Sequence, residues 1–435
     1  MSIFWQECKY ILRSRFLWIV VILGSIFTVY YNTGASANLG SDISFSYEFT
    51  QQHGLSFKEK DVEEFLDILL EQHYRAQDLK SELKAAGILE VTAKDIIDSA
   101  MGNDCEFTNQ LMEIANTDDK AYGEIINDLS PFEWIARGAL SRDLEEYDVV
   151  ERGKSLLESM NPSVSDWKQE MLLDAFEKLQ KRTEEITQNQ ENQYFLPYSF
   201  VYSDNSGWFS VQFSSASALG FVWGLSMVLA GIMAARSIGG SFLSHMSNMV
   251  YCGKIGRRFA LRKMASVLAM SGVLYLVLSL LATVYCVYRF RLDLYWDVPL
   301  ASMIQYTGPL IPRFAITIGG YWLFQLGVGL ATVLIMALIF SAAMIFTKSF
   351  YAGSAISVGV SLLLLCLIQM VPGMQNSMLL MGSPIGLFLQ AGKFLQQQFL
   401  FSILPHFEGI SLLIWGGIAA VLAALGFVRF RRAAL

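Results

Sequence analysis

Few residues in this chain have the types and spacing that do chemistry. Its four histidines, His53, His73, His245 and His406, stand far apart, and no two of them have a zinc-ligand spacing. The stretch LFLQAGKF at 387–394 contains the Gly-Lys of a phosphate loop. Leu387, however, stands where its first glycine belongs, and Phe394 where its serine or threonine belongs. GSPIG at 382–386 puts serine second rather than third, so it is not a nucleophile elbow. No acid lies within an apolar stretch, which argues against an ion-coupled carrier that uses intramembrane carboxylates. The chain reads as a non-enzyme, with no metal site and no catalytic residues of its own.

One polar cluster remains. YCGKIGRRFALRKMAS, residues 251–266, packs Lys254, Arg257, Arg258, Arg262 and Lys263 into ten positions, and no acid occurs between Asp204 and Asp293. Such charge attracts anions: lipid headgroups, an acidic protein surface or nucleic acid. Its place between two apolar stretches excludes nucleic acid. Just upstream, Phe242, Leu243, Met246, Met249 and Val250 fall at i, i+1, i+4, i+7 and i+8 after Gly239 and Gly240. That spacing predicts a short amphipathic helix. It suits docking into a groove of a cytosolic partner, and equally suits lying on lipid.

The elements that would hold these residues are membrane spans. The chain of 435 residues is 53% hydrophobic and only 16% charged, against about a quarter charged in soluble domains. Charge is also segregated. Residues 34–204 carry 35 acids and 15 Lys or Arg, a local net of −20, while the remainder is +13. Six stretches have the roughly 20 apolar residues that a bilayer core requires: 16–33, 216–235, 264–288, a length within 315–346, 351–371 and 410–428.

Lys and Arg in short connections orient the spans. Lys9, Arg13 and Arg15 precede the first, six cations lie in 236–263, Lys348 links the fourth and fifth, and Arg429, Arg431 and Arg432 follow the sixth. All fall on one side of a six-span protein, with both termini cytoplasmic. Arg289, Arg291, Arg313 and Lys393 are exceptions. The first span resembles a signal peptide, with ASA at 35–37 as a cleavage site; the 15 residues before it favour an uncleaved anchor. Phe4, Cys8, Ile11 and Leu12 make one apolar face of an N-terminal interfacial helix.

The acidic block, 34–215, reads as a helical extracellular domain, large enough to bury its own core. Residues 58–86 form one helix with Val62, Phe65, Leu66, Leu69 and Leu70 inward, terminated by Gly87. Residues 163–188 form another, capped by Ser163 or Ser165, with Trp167, Met171, Leu172, Phe176 and Leu179 as its apolar face. Ile125, Leu129, Phe132, Trp134 and Ile135 supply further core, and Pro131 and Pro162 mark breaks. YFLPYSFVYSDNSGWFSVQF, from 194, is strand-like or interfacial. Of Cys8, Cys105, Cys252, Cys286 and Cys366 only Cys105 lies in the block. It therefore holds no internal disulfide, which suits a bacterial surface.

An amphipathic N-terminal helix, six spans, an amphipathic segment between the second and third at about 240–252, and Arg257 followed by Lys263 entering the third together resemble the permease subunits of type-2 ABC exporters. Residues 373–409, with Gly373, Pro384 and Pro405, loosely match that family's segment turning back toward the membrane before the sixth span. Ser241 and Ser244 stand where many relatives carry an acid, and a large domain after the first span occurs only in some branches.

The resemblance implies a coupling helix formed by Phe242, Leu243, Met246, Met249 and Val250, and a basic hinge formed by Lys254, Arg257, Arg258, Arg262 and Lys263. It implies as partners a second permease copy or homologue, membrane lipids and cytosolic ABC ATPase subunits. ATP and Mg would be bound by those subunits, with no cofactor on this chain. The cargo would be lipid-like, a drug or an amphipathic peptide, and the location a bacterial plasma membrane. The hinge cations would find their counter-charges in lipid headgroups or the ATPase. A membrane-anchored receptor and an envelope assembly scaffold are the alternatives.

Overall fold

The computed structural model describes residues 3–34, 51–52, 54, 59–72, 74–140, 148–159, 166–191, 200–203, 207–243, 256–290, 292–303, 311–370, 377–390 and 400–432. The chain divides into two compact units. One comprises Met1–Thr33, Ser215–Leu294 and Gly319–Leu435; the other comprises Gly34–Ser214 together with Tyr295–Ile318.

The chain opens with α1 (Ile3–Leu12) and α2 (Arg15–Gly34), bent by 57° across the break between them. Ser14 makes the break: its Oγ accepts the Leu17 N–H at 3.3 Å, capping α2. The Trp18 indole donates to the Leu12 carbonyl at 2.7 Å, one of those left open where α1 ends. Cys8 and Ile11 of the predicted apolar face are buried, whereas Leu12 is exposed.

The second unit is a helical bundle: α3 (Glu59–Gln72), α4 (Tyr74–Ala85), α5 (Ala93–Met101), α6 (Glu106–Thr117), α7 (Asp119–Leu140), α8 (Val149–Ser159) and α9 (Asp166–Gln188). The expected helix over 58–86 is thus two, α3 and α4, with His73 between them outside the described residues. Val62, Phe65, Leu66 and Leu70 enter a core with Leu129, Phe132 and Ile135 of α7, and Leu69 packs at its edge. Gly87 does end α4, at φ +94°.

Two local expectations fail. Helix α7 runs through Pro131 without a break. Proline removes one backbone donor and crowds the carbonyl four residues back, and buried Leu129, Phe132 and Ile135 on either side hold the turn against that cost. Trp167 is 63% exposed, outside the core that takes Leu172, Phe176 and Leu179. Lys168 covers its ring at 5.7 Å instead. Ser163, Ser165 and Pro162 lie outside the described residues, as does the Trp134 side chain.

Helices α8 and α9 meet where Gly153 lets the Phe176 ring approach; a Cβ at Gly153 would lie 2.5 Å from it. The strand-like stretch contains a hairpin, β1 (Phe200–Ser203) antiparallel to β2 (Gly207–Ser210). Residues 295–318 join this unit rather than serving as a plain loop. The Leu300 N–H donates to the Ile316 carbonyl, and the Ser302 hydroxyl to the Glu191 carbonyl at 2.7 Å.

Glu82 of α4 is a chargeable group placed against others. One carboxylate oxygen is buried with no hydrogen-bond partner among the described residues. Burial first, then the charges of Asp128, Glu124 and Asp78, push its pKa up. A raised carboxyl pKa favours folding while the group is protonated, and that contribution is lost as pH rises through the folded value. Glu82→Gln is therefore expected to raise the thermal midpoint at pH 7.5, the gain shrinking toward pH 4. Melting curves at both pH values check this, and an equal gain at both would contradict it.

The remaining helices are apolar: α10 (Val211–Ala234), a π-helical turn at Ala235–Gly239, α11 (Gly240–Leu243), α12 (Gly256–Phe290), α13 (Ile318–Thr347), α14 (Phe350–Met370), the short α15 (Met378–Met381) and α16 (Pro384–Leu389), and α17 (Phe407–Arg432). Among the described residues, five helices are long and apolar enough to cross a membrane, or six if the bent α1–α2 pair counts as one span. At 35 residues, α12 is roughly 50 Å long, well beyond a core of about 30 Å.

Some polar groups within these helices pair with one another, while the Ser271, Ser279, Ser341 and Ser411 hydroxyls are buried with no hydrogen-bond partner among the described residues. The Tyr275 hydroxyl donates to the Leu326 carbonyl at 3.2 Å over the gap left by Gly329, and the Trp322 indole to Thr283 at 3.1 Å. The sixth apolar helix begins at Phe407, earlier than the expected 410, and so takes in buried Glu408. Glu408 stands in the first turn of that helix, ahead of the expected 410–428 span. A carboxylate in the first turn is favoured by the helix dipole.

Candidate functional site

The site is built at the basic end of α10. There the α-helix widens into the π turn, in which the Gly240 N–H donates to the Ala235 carbonyl, five residues back. Close approach requires a small residue. A Cβ on Gly239 would lie 3.0 Å from the Phe350 ring and 3.3 Å from the Met344 sulfur. Ser237, Ile238 and Gly239 are buried by this packing.

Lys263, two turns into α12, reaches the turn. Its Nζ donates to the Ser237 carbonyl at 2.5 Å and to Ser241 Oγ at 2.8 Å, and lies 3.4 Å from Glu7 Oε1. The Ser237 hydroxyl donates to the other Glu7 oxygen at 3.1 Å. Both charged side chains are shielded, Lys263 at 9% and Glu7 at 14% exposure. One turn on, Ser266 donates to the Phe4 carbonyl at 3.3 Å. The Phe259 ring lies 4.7 Å from the Lys263 ammonium. Four pieces of chain (α1, the π turn, α11 and the start of α12) are thus tied through one ammonium.

This arrangement corrects the expectation that the cations of 254–263 have no counter-charge within the chain. Lys263 pairs with Glu7, which sequence reasoning passed over because it lies 256 positions away. The signal was present: Glu7 falls on the same helical face as Phe4, Cys8 and Ile11, and an acid on an apolar face requires a partner. Helix α1 accordingly packs that face on α12 rather than leaving it on lipid. Ser241 supplies a ligand to the same ammonium.

The other expected site residues separate. Phe242 is half-buried and Leu243 is exposed, both in α11; Met246, Met249, Val250 and Lys254 lie outside the described residues. Arg257 and Arg258 occupy the first turn of α12, their side chains undescribed, and Arg262 is exposed. From Gly256 onward the basic stretch is continuous helix into the third span. Arg236, one of the cations that orient the spans in the sequence, lies with its guanidinium 4.5 Å over the Tyr10 ring and donates from Nε to the Tyr10 carbonyl at 3.4 Å.

Fold and site together define a multi-pass, all-α membrane protein whose only described sheet is the β1–β2 hairpin. Comparison with protein-family models, curated proteins and solved structures returns no match to this chain.

Proposed function

We propose that the chain is the permease subunit of an ATP-driven exporter resembling the type-2 ABC class. In this reading α2, α10, α12, α13, α14 and α17 are six spans, both termini are cytoplasmic, and residues 34–215 face outward. Separate ATPase subunits bind ATP and Mg, and a second permease copy or homologue completes the transporter. The cargo is lipid-like, a drug or an amphipathic peptide.

The observation that carries this reading is the Lys263 knot. A segment that an ATPase pushes must be rigidly tied to the spans it is meant to move. Lys263 and Glu7 tie the start of the 240–255 connection to its far end and to α1 at distances of 2.5 to 3.4 Å. Force applied at Phe242 and Leu243 then reaches the second and third spans as one body. The basic residues on α12 lie beyond the apolar part of that helix, where headgroups or an acidic ATPase surface can meet them.

The test is co-purification from native membranes. A stoichiometric ATPase is expected with the wild-type chain and is expected to be lost, by about tenfold or more, from Phe242→Asp/Met246→Asp. Purified complex that holds no ATPase and hydrolyses no ATP would end the permease reading.

A further inference from the structure

The membrane unit contains a cavity of about 850 Å³ walled by α10, α13, α14, the start of α2 and α16. Its walls are almost wholly apolar, with Met227, Val228, Gly231, Phe340, Val358 and Phe388 as principal surfaces. Along α10 and the π turn that follows, it runs from Gly224 to Arg236, and along α14 from Phe350 to Leu362. Each is twelve residue steps of helix, about 18 Å. That is close to one leaflet of a bilayer core about 30 Å thick.

Among the polar groups on the wall are Ser357, Ser361 and Arg236. Ser357 donates to the Gly353 carbonyl at 2.8 Å and Ser361 to the Ser357 carbonyl at 3.0 Å, so both hydroxyls already donate within their own helix. Arg236 is different. It stands at one end, its guanidinium plane held by the Tyr10 ring and its Nε by the Tyr10 carbonyl. Stacking leaves the planar fork of terminal N–H groups at the guanidinium edge, and no described acid forms an ion pair with it.

We propose that this cavity binds a single-chain anionic amphiphile, its hydrocarbon chain lying along α10 and α14 and its phosphate or carboxylate held by Arg236. Length, apolarity and one cation among the described lining residues, at one end, match that molecule term by term. A peptide in extended form fits poorly, because its backbone N–H and C=O groups would lie unpaired against apolar walls at a cost of several kcal/mol in total. The volume falls within the usual range for one small ligand. As a statement about cargo this rests on the export reading; as a statement about binding it stands without any ATPase.

Native mass spectrometry of the full-length protein from a non-ionic detergent tests it, using hexadecyl phosphate, hexadecylphosphocholine and hexadecyltrimethylammonium as probes. One hexadecyl phosphate per chain is expected, bound about tenfold more tightly than the cationic counterpart. Arg236→Gln should abolish the preference for the anion, and Arg236→Lys should keep most of it. Val228→Trp adds bulk at an exposed lining position, so the fold tolerates it. It should lower occupancy for all three probes.

The proposal is overturned if anion preference survives Arg236→Gln, or if Val228→Trp leaves binding unchanged. Equal competition by a two-chain phosphatidylglycerol would place a bilayer lipid there and overturn the single-chain assignment. An ATPase missing from the purified complex would end the export reading while leaving each of these binding results intact.

Discussion

Glu7→Gln is expected to destabilise the protein by about 3 kcal/mol, because it strands a buried ammonium. Lys263 is 9% exposed and has three hydrogen-bond or ionic partners on its Nζ, of which Glu7 is the only charge. The Ser237 carbonyl and Ser241 hydroxyl remain in the mutant, but neither neutralises Lys263. Lys263→Met in the same chain should recover most of the loss, since a buried pair replaced by apolar groups of similar size is often neutral.

Thermal unfolding of wild type, both single mutants and the double mutant forms a cycle that isolates the pair. A Glu7→Gln midpoint equal to wild type would show that the pair contributes nothing. If the permease reading is right, the double mutant folds but transports poorly. Methionine restores volume without restoring the link from α1 to the π turn.

Gly386→Ala is expected to cost about 3 kcal/mol, at the upper end for overpacking. The added Cβ would lie 2.4 Å from the Met381 carbonyl oxygen and 2.5 Å from that of Leu380. Both are backbone atoms of a turn that cannot swing aside as a side chain could. The Ser383 hydroxyl accepts the Gly386 N–H at 3.0 Å, and Gln390 Nε2 donates to the Met381 carbonyl at 2.9 Å. These bonds hold α16 against α15 and prevent relaxation. The reading is wrong if the Ala variant melts within experimental error of wild type. Gly359→Ala is the control, since no atom lies within 4 Å of a Cβ added there.

Much of the molecule is legible in local pattern. A bilayer demands long apolar runs, so the apolar spans and their order can be read from composition alone. Residues 351–371 against Phe350–Met370 show how closely. The inward stripe of α3 is equally plain, because Val62, Phe65, Leu66 and Leu70 repeat at the helical period and all are buried.

What pattern could not show is which distant groups meet. No local rule pairs Glu7 with Lys263, since their contact exists only once α1 turns away from α2 at Ser14 and lies on α12. Pro131 misleads for the same reason: a local break signal loses to packing on both sides of it. The π turn needs the Gly239 contact with Phe350 and Met344, over a hundred residues away. Hydrophobic period and charge bias are properties of neighbours in the chain, and they determine spans, helical faces and the basic end. Counter-charges, cavities and close helix approaches are properties of neighbours in space, and only the packed structure decides them. Arg236 makes the distinction plain: in the chain it is one more cation after a span, and in the fold it is the single charge on the described lining of an apolar cavity.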